Sequence, residues 1–305
     1  MSEKKLRIMS GILLVISVII FGIFQYKEKV GKDQSGPVFS VESDTITISV
    51  KDDESALMSG ITASDAKDGD LTSSIFIEDV SAFTEKKARV VTYGVADSDG
   101  HVASARRQLL YSDYTPPRFE LSGPLQFPKN SSNLLSGIRA EDCIDGDLTK
   151  KVRILYEEEI ASNNTGENSA TFKVTNSVGD ASYLPVIIEF YDSEVFYSRP
   201  QLALTDYIVY VQKGTAFDAG SYLKSVIIND KEYAFVEKDG TYGRDGLPEE
   251  AAGNTIDYSH AVIESDVDTA AAGNYVVKYS VSDPQYNTGT GTVRLYVVVT
   301  EGGVN

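Results

Sequence analysis

The sequence predicts an all-β protein: three tandem β-sandwich domains behind a single N-terminal transmembrane helix. Three observations carry this. Residues 8–26 hold no charge. A ten-residue stretch, Ala63-Ser64-Asp65-Ala66-Lys67-Asp68-Gly69-Asp70-Leu71-Thr72, returns 77 residues later as Ala140-Glu141-Asp142-Cys143-Ile144-Asp145-Gly146-Asp147-Leu148-Thr149. Short runs alternating apolar and polar side chains recur between turn residues through the rest of the chain, which is the period-two pattern of half-buried strands.

The uncharged run comes first. Its 19 residues, at a rise of ~1.5 Å each, nearly span the ~30 Å hydrocarbon core of a bilayer. With no water there to satisfy backbone groups, the run must be helical. It ends in Phe24-Gln25-Tyr26-Lys27, bulky where a signal peptidase requires small residues, so an uncleaved anchor is expected. Lysines lie on both sides, Lys4 and Lys5 before and Lys27, Lys29 and Lys32 after. The short N-terminal segment and the large folding portion favour N-terminus inside, C-terminal domains extracellular. The expected order is a cytoplasmic tail at 1–7, a transmembrane signal anchor at 8–26 and a linker at 27–37.

Composition narrows the class. Of 305 residues, 42% are hydrophobic, enough for packed cores, and Val, Ile and Tyr dominate them, as strands prefer. The net charge of −17 repels phosphate backbones and excludes nucleic acid as a partner. The one cysteine, Cys143, excludes an intrachain disulfide and points to a bacterial surface of Gram-positive type.

The first domain is expected at 38–113. Thr45-Ile46-Thr47-Ile48 opens it, Val91, Tyr93 and Val95 share one strand face, and Asp97-Ser98-Asp99-Gly100 is a turn. Thr115-Pro116-Pro117 makes a stiff junction. The second domain, at 117–192, repeats the plan: Ala170, Phe172 and Val174 form the apolar face, and Asn176-Ser177-Val178-Gly179 fills the place of the Asp97 turn at an offset of 79. The third, at 200–300, carries Tyr275, Val277, Tyr279 and Val281 on one face and Leu295, Val297 and Val299 on a closing strand. It lacks the Asp-Gly-Asp stretch and has an insertion at about 229–260 instead. Beyond residue 30, helix is expected at most as single turns at 249–252 and 268–272. Units near 80 residues, built of many short strands, predict immunoglobulin-like sandwiches.

Gly60, Ile61, Ala63, Asp65, Asp68, Gly69, Asp70, Leu71 and Thr72, followed by Tyr93, Val95, Asp97 and Gly100, resemble the pattern of bacterial immunoglobulin-like (cadherin-like) cell-surface repeat domains. In the third domain Val267-Asp268-Thr269, Gly273-Asn274-Tyr275, Tyr279, Val281, Asp283 and Asn287 match best. The resemblance implies spacers, adhesins or polysaccharide-associated accessory proteins, rarely enzymes.

The Asp-Gly-Asp stretches are expected to be turns. Gly69 and Gly146 supply positive φ, and the aspartates bond nearby amides. Asp65, Asp68 and Asp70 suggest Ca²⁺, with Asp97, Asp99 or Asp113 to complete a site. The spacing is not that of an EF-hand, whose twelfth position needs Glu and here is Phe76. In the second domain Asn176 and Val178 replace Asp97 and Asp99, so no strong metal site is expected. His101 and His260, the only histidines, lie in different domains and suggest neither a triad nor a zinc site. Cys143 takes the slot of Ala66 and is expected as a small packing residue. No catalytic residue and no cofactor is therefore expected. Tyr233, Tyr242 and Tyr258, in the insertion, are the candidate ligand-binding loop, because loops on rigid scaffolds and exposed aromatics carry recognition.

The function expected is that of a non-enzymatic, membrane-anchored bacterial surface protein. A rigid stalk would present a distal surface for adhesion or envelope scaffolding. Its partners would be the lipid bilayer, through the helix, and a cell-wall glycan or surface protein. The alternative is a glycan-binding or polysaccharide accessory protein that uses the insertion.

Overall fold

The computed structural model describes residues 3–30, 35–84, 88–155, 162–228, 230–236, 255–257, 261–282 and 289–301. The chain is mostly β, with sheets paired into sandwiches after an N-terminal apolar helix, as the sequence predicts. It forms two compact units, Met1–Ser112 and Asp113–Asn305.

The first unit opens with α1 (Glu3–Val30). Its window Met9–Tyr26 has a mean hydropathy of 2.2 and none of it is buried within the protein. A membrane anchor and a signal sequence share that length and composition. The strands follow as β1 (Val38–Val41), β2 (Thr45–Ile48), β3 (Ile61–Asp65), β4 (Gly69–Asp70), β5 (Phe76–Val80), β6 (Arg89–Ala96) and β7 (Val102–Tyr111). One sheet orders β1-β3-β4 and the other β2-β7-β6-β5. Val91, Tyr93 and Val95 are fully buried between them with Ile46, Leu57, Ile61 and Leu109. The Tyr93 hydroxyl donates to the Leu57 carbonyl at 2.6 Å, which satisfies the one polar atom this ring brings into the core.

The second unit holds two sandwiches. The earlier comprises β8 (Arg118–Leu121), β9 (Gln126–Pro128), β10 (Ile138–Asp142), β11 (Gly146–Asp147), β12 (Arg153–Leu155), β13 (Gly166–Thr175) and β14 (Ala181–Tyr191). Its sheets order β11-β10-β8 and β12-β13-β14-β9. A six-residue helix, α2 (Ser193–Ser198), follows; the Asp192 side chain caps it by accepting from the Glu194 amide. It is too short to show helical periodicity, and the sequence reading does not anticipate it.

The later sandwich comprises β15 (Gln201–Leu204), β16 (Ile208–Gln212), β17 (Leu223–Ile228), β18 (Lys231–Val236), β19 (Thr255–Asp257), β20 (Ala261–Ser265), β21 (Gly273–Ser282) and β22 (Thr290–Thr300). Its sheets order β15-β17-β18-β19 and β16-β22-β21-β20. Two of these strands, β18 and β19, come from the segment expected to be an insertion. Part of that segment is therefore sheet: Phe235 is buried in the core beside Val226, Tyr279 and Leu295.

Strand β22 is buried on both faces. Val293, Leu295, Val297 and Val299 enter the core of its own sandwich. Tyr296 instead joins the core cluster of the earlier sandwich, against which Ile208, Val276 and Val298 also pack. The two sandwiches of this unit thus share an apolar interface and are not beads on a linker. The Tyr296 hydroxyl accepts from the Ile187 amide and donates to the Ile187 carbonyl, both at 3.0 Å, on a stretch of β14 that has no strand on that side. Tyr210 accepts from the Phe119 amide at 2.7 Å under the Arg118 guanidinium. Arg294 pairs with Glu167.

Candidate functional site

Two regions of this fold gather chemistry: the repeated Asp-Gly-Asp hairpins, and an aromatic ledge at α2.

In both copies the hairpin is built alike. Asp65 pairs with Gly69, and Asp142 with Gly146; the two glycines adopt φ of +76° and +68°, which a side chain would strain. Asp65 Oδ1 accepts from the Lys67 and Asp68 amides, and Asp142 Oδ1 from those of Ile144 and Asp145. Asp70 and Asp147 each accept from the amide two residues on, Thr72 and Thr149. The side chains of Thr72 and Thr149, with those amide bonds next in weight, lower both carboxyls from their ordinary value. Asp68 binds the amide and hydroxyl of Ser98, and Asp145 those of Ser177, tying each hairpin to the turn after the central strand. Leu148 is buried and Leu71 packs partly against its core.

The copies part at the residue that answers the buried hairpin aspartate. Asn176 Oδ1 accepts from the amides of Val178 and Asp180, and its Nδ2 donates to Asp142 Oδ2 at 3.2 Å. Asp97 takes the same place in the first unit, with Oδ1 accepting from the amides of Asp99 and His101. It has no N–H to offer. Asp65 Oδ2 is buried without a hydrogen-bond partner. Asp97 Oδ2 lies 2.7 Å from His101 Nδ1, with the Asp97 side chain 1% exposed. Burial raises the Asp97 pKa, and the bonds from His101 and Asp99 outweigh it to leave the net shift downward. His101, its side chain 41% exposed, is held by this carboxylate. Lys67 pairs with Asp99 at 2.7 Å. Among the described residues no three His, Cys, Asp or Glu side chains converge as a ready metal cage.

The ledge lies where β14 runs into α2. The Tyr191 and Phe196 rings stack with centroids 3.8 Å apart, Tyr197 meets Phe196 edge-on at 5.4 Å, and Arg199 lies over Phe196. Tyr197 is 69% exposed. Burial, with the Tyr197 hydroxyl next in weight, pushes the Tyr191 phenol up to about 12. The ledge went unread because its rings belong to the end of a strand and to a six-residue helix; the cluster of Tyr191, Phe196, Tyr197 and Arg199 around a domain junction was its available signal.

Of the three tyrosines expected to form a ligand loop, Tyr233 lies on β18, half-buried against the third core with Lys231 over its ring. Tyr242 and Tyr258 lie outside the described residues, as does His260. Cys143, expected to pack inward, is exposed at the hairpin turn, with its thiol donating to the Thr115 carbonyl at 3.1 Å. The first unit also has a shallow cleft of about 260 Å³ lined by Ile48, Leu57, Leu109 and Tyr111, with Asp52, Asp53 and Glu54 beside Arg89. Arg89 is fully engaged there, with the Ser81 and Val80 carbonyls and the Tyr111 hydroxyl.

No protein-family model matches the chain. The pesticidal crystal protein Cry22Aa of Bacillus thuringiensis is 23% identical over 229 residues, which is 73% of this chain and 28% of that protein; the chain spans under a third of that relative's length. Among solved structures, the M60 catalytic domain with CBM51-1 and CBM51-2 of Clostridium perfringens ZmpB is 16% identical, covering 87% of this chain and 31% of that one at a TM-score of 0.23. The Bacteroides thetaiotaomicron lipoprotein BT2262 is 15% identical over 59% of this chain and 98% of that one, TM-score 0.23. The protocadherin GammaB4 extracellular domain is 13% identical over 88% and 49%, TM-score 0.18.

Proposed function

We propose that the chain is a membrane-tethered, non-enzymatic surface protein whose tandem sandwiches present a binding surface outside the cell. The observation that carries this is α1: an 18-residue window at a mean hydropathy of 2.2, none of it buried in the protein, ahead of sandwiches whose core clusters contain no residue of that helix. An apolar helix left bare in water would expose far more contiguous apolar area than a soluble surface tolerates, and a bilayer removes that cost. The polar clusters serve structure on this reading. His101 is engaged by Asp97, and the aspartates of the hairpins bond backbone amides. The test is topological and uses the single thiol, Cys143, which is exposed: an impermeant thiol reagent should label it on intact cells.

The α2 ledge favours a second reading, a cell-wall glycan as the ligand. Sugar rings stack on exposed aromatic faces beside charged groups that can bond their hydroxyls; Tyr197, 69% exposed, offers the face, and Arg199, over the neighbouring Phe196 ring, the charge. Under it, the detergent-solubilised chain is retained on isolated cell-wall glycan, and Tyr197→Ala lowers retention about tenfold, the order of one lost stacking contact. Equal retention of the variant, or none of the parent, leaves the tethered-scaffold reading with a protein partner.

A further inference from the structure

We propose that the first sandwich carries a site for a hard divalent cation, Ca²⁺ ahead of Mg²⁺, between Asp65 and Asp97. The chain provides its own control: the two hairpins share their backbone bonds, and the turn residue that bonds Asp142 Oδ2 in the second sandwich has Asp97 as its counterpart in the first, from which we infer that Asp97 stands toward Asp65 Oδ2. In the second sandwich that position is Asn176, whose amide donates to the equivalent oxygen of Asp142. In the first it is Asp97, and the hydrogen-bond donor is lost. Asp65 is 8% exposed and its Oδ2 has no partner; the Asp97 side chain is 1% exposed.

Buried polar atoms are almost always satisfied, and each exception needs a cause. Two carboxylates facing one another out of water repel strongly unless a positive charge lies between them. The local cations are committed elsewhere. Lys67 is on Asp99, and His101 Nδ1 bonds Asp97 Oδ2 without reaching Asp65 Oδ2, which has no partner. Of the hairpin's other carboxylates, Asp68 holds Ser98 and Asp70 the Thr72 amide. A cation bridging Asp65 Oδ2 and Asp97 Oδ2 would supply the missing charge, with water completing its shell.

Oxygen-only donors suit Ca²⁺ and Mg²⁺. Ca²⁺ is preferred because it accepts irregular coordination, whereas Mg²⁺ demands a near-ideal octahedron. With two protein carboxylates rather than a full cage, affinity should fall on the order of 10⁻⁴–10⁻³ M, the range of extracellular calcium modules. Such a site would fill outside a cell and empty inside one, so the first sandwich would be tightest where the proposed topology places it.

The experiment uses the intact chain in detergent, stripped with EDTA and titrated with CaCl₂ or MgCl₂ while ion binding and thermal unfolding are followed. One Ca²⁺ should bind per chain. At ten times Kd the folding equilibrium of the first unit should shift about tenfold. Asp97→Asn restores the donor seen in the second sandwich; it should abolish binding and make the unit's stability indifferent to Ca²⁺. Asp65→Asn, which removes the orphan charge itself, should also abolish binding. The reciprocal Asn176→Asp should add a second ion. The proposal is overturned if the parent binds no Ca²⁺ at several millimolar, or if Asp97→Asn binds it undiminished. It is equally overturned if the EDTA-treated parent gains stability only on acidification, which would give the position to a shared proton.

Discussion

Replacing Tyr296 by alanine is expected to lower the melting temperature of the second unit by about 10 °C. Removing a buried aromatic ring costs about 3–5 kcal/mol, and each kcal/mol moves the midpoint about 2–4 °C in a unit of this size. The residue is 2% exposed and lies in the core of the earlier sandwich although it belongs to the last strand of the later one. Its hydroxyl also satisfies both the amide and the carbonyl of Ile187. Tyr296→Phe keeps the ring and orphans those two groups, so it should cost about 1–3 kcal/mol. In the alanine variant the transition should broaden towards two steps, because the buried ring that joins the two cores is gone while the Tyr210, Val276 and Val298 contacts remain. Calorimetry reads both effects; a single transition within about 2 °C of the parent would contradict the shared interface.

Alkali should act on the same contact. Burial pushes the Tyr296 phenol up to about 12 from its ordinary 10.0, and Tyr210 likewise. The unfolded chain therefore loses these protons first. Their contribution to stability is full below pH 10 and falls as the pH rises towards 12.

Gly291→Ala is expected to be as damaging by a different route. A Cβ there would lie 1.8 Å from the Pro200 carbonyl oxygen and 2.7 Å from its carbon. Both are backbone atoms at the entrance to β15, so neither can swing away as a side chain would. The cost should be about 3 kcal/mol or more, at the upper end for overpacking. Gly69→Ala is the contrast. Nothing lies within 4 Å of its Cβ position, and only φ of +76° opposes the change, so about 1 kcal/mol is expected. Denaturant titration of the two variants side by side measures the difference. A Gly291→Ala loss no larger than that of Gly69→Ala would contradict the close approach of β22 to Pro200.

Much of this fold is legible in the residues. The alternation of Val91, Tyr93 and Val95, of Ala170, Phe172 and Val174, and of Val277, Tyr279 and Val281 marks core faces, and all nine are buried. The repeated Asp-Gly-Asp stretch marks a hairpin, and both copies form one. What escaped depends on distant partners. Leu295 to Val299 is five consecutive apolar residues, the sign of a strand buried on both faces; reading it as simple alternation hides Tyr296 and its partner Ile187, 109 residues away. The exchange of Asn176 for Asp97 was visible at the offset of 79, where it read as weakening a second metal site. Only the position of Asn176 Nδ2 against Asp142 Oδ2 shows that the exchange removes a donor from the first. The segment at 229–260 read as an insertion because its strand residues, such as Tyr233 and Phe235, are followed by a long polar stretch; β18 finds its partner in β17.

The most direct measurement of the central claim treats intact cells carrying the full chain with a membrane-impermeant maleimide, then separates carbonate-washed membranes from the soluble fraction. Cys143 is the chain's single thiol and is exposed, so labelling reports the side of the membrane on which the second unit lies. A tethered surface protein gives full labelling without lysis, with the labelled chain in the membrane pellet. Labelling that requires lysis, or a chain recovered from the medium with its mature N-terminus beyond Tyr26, would contradict the account.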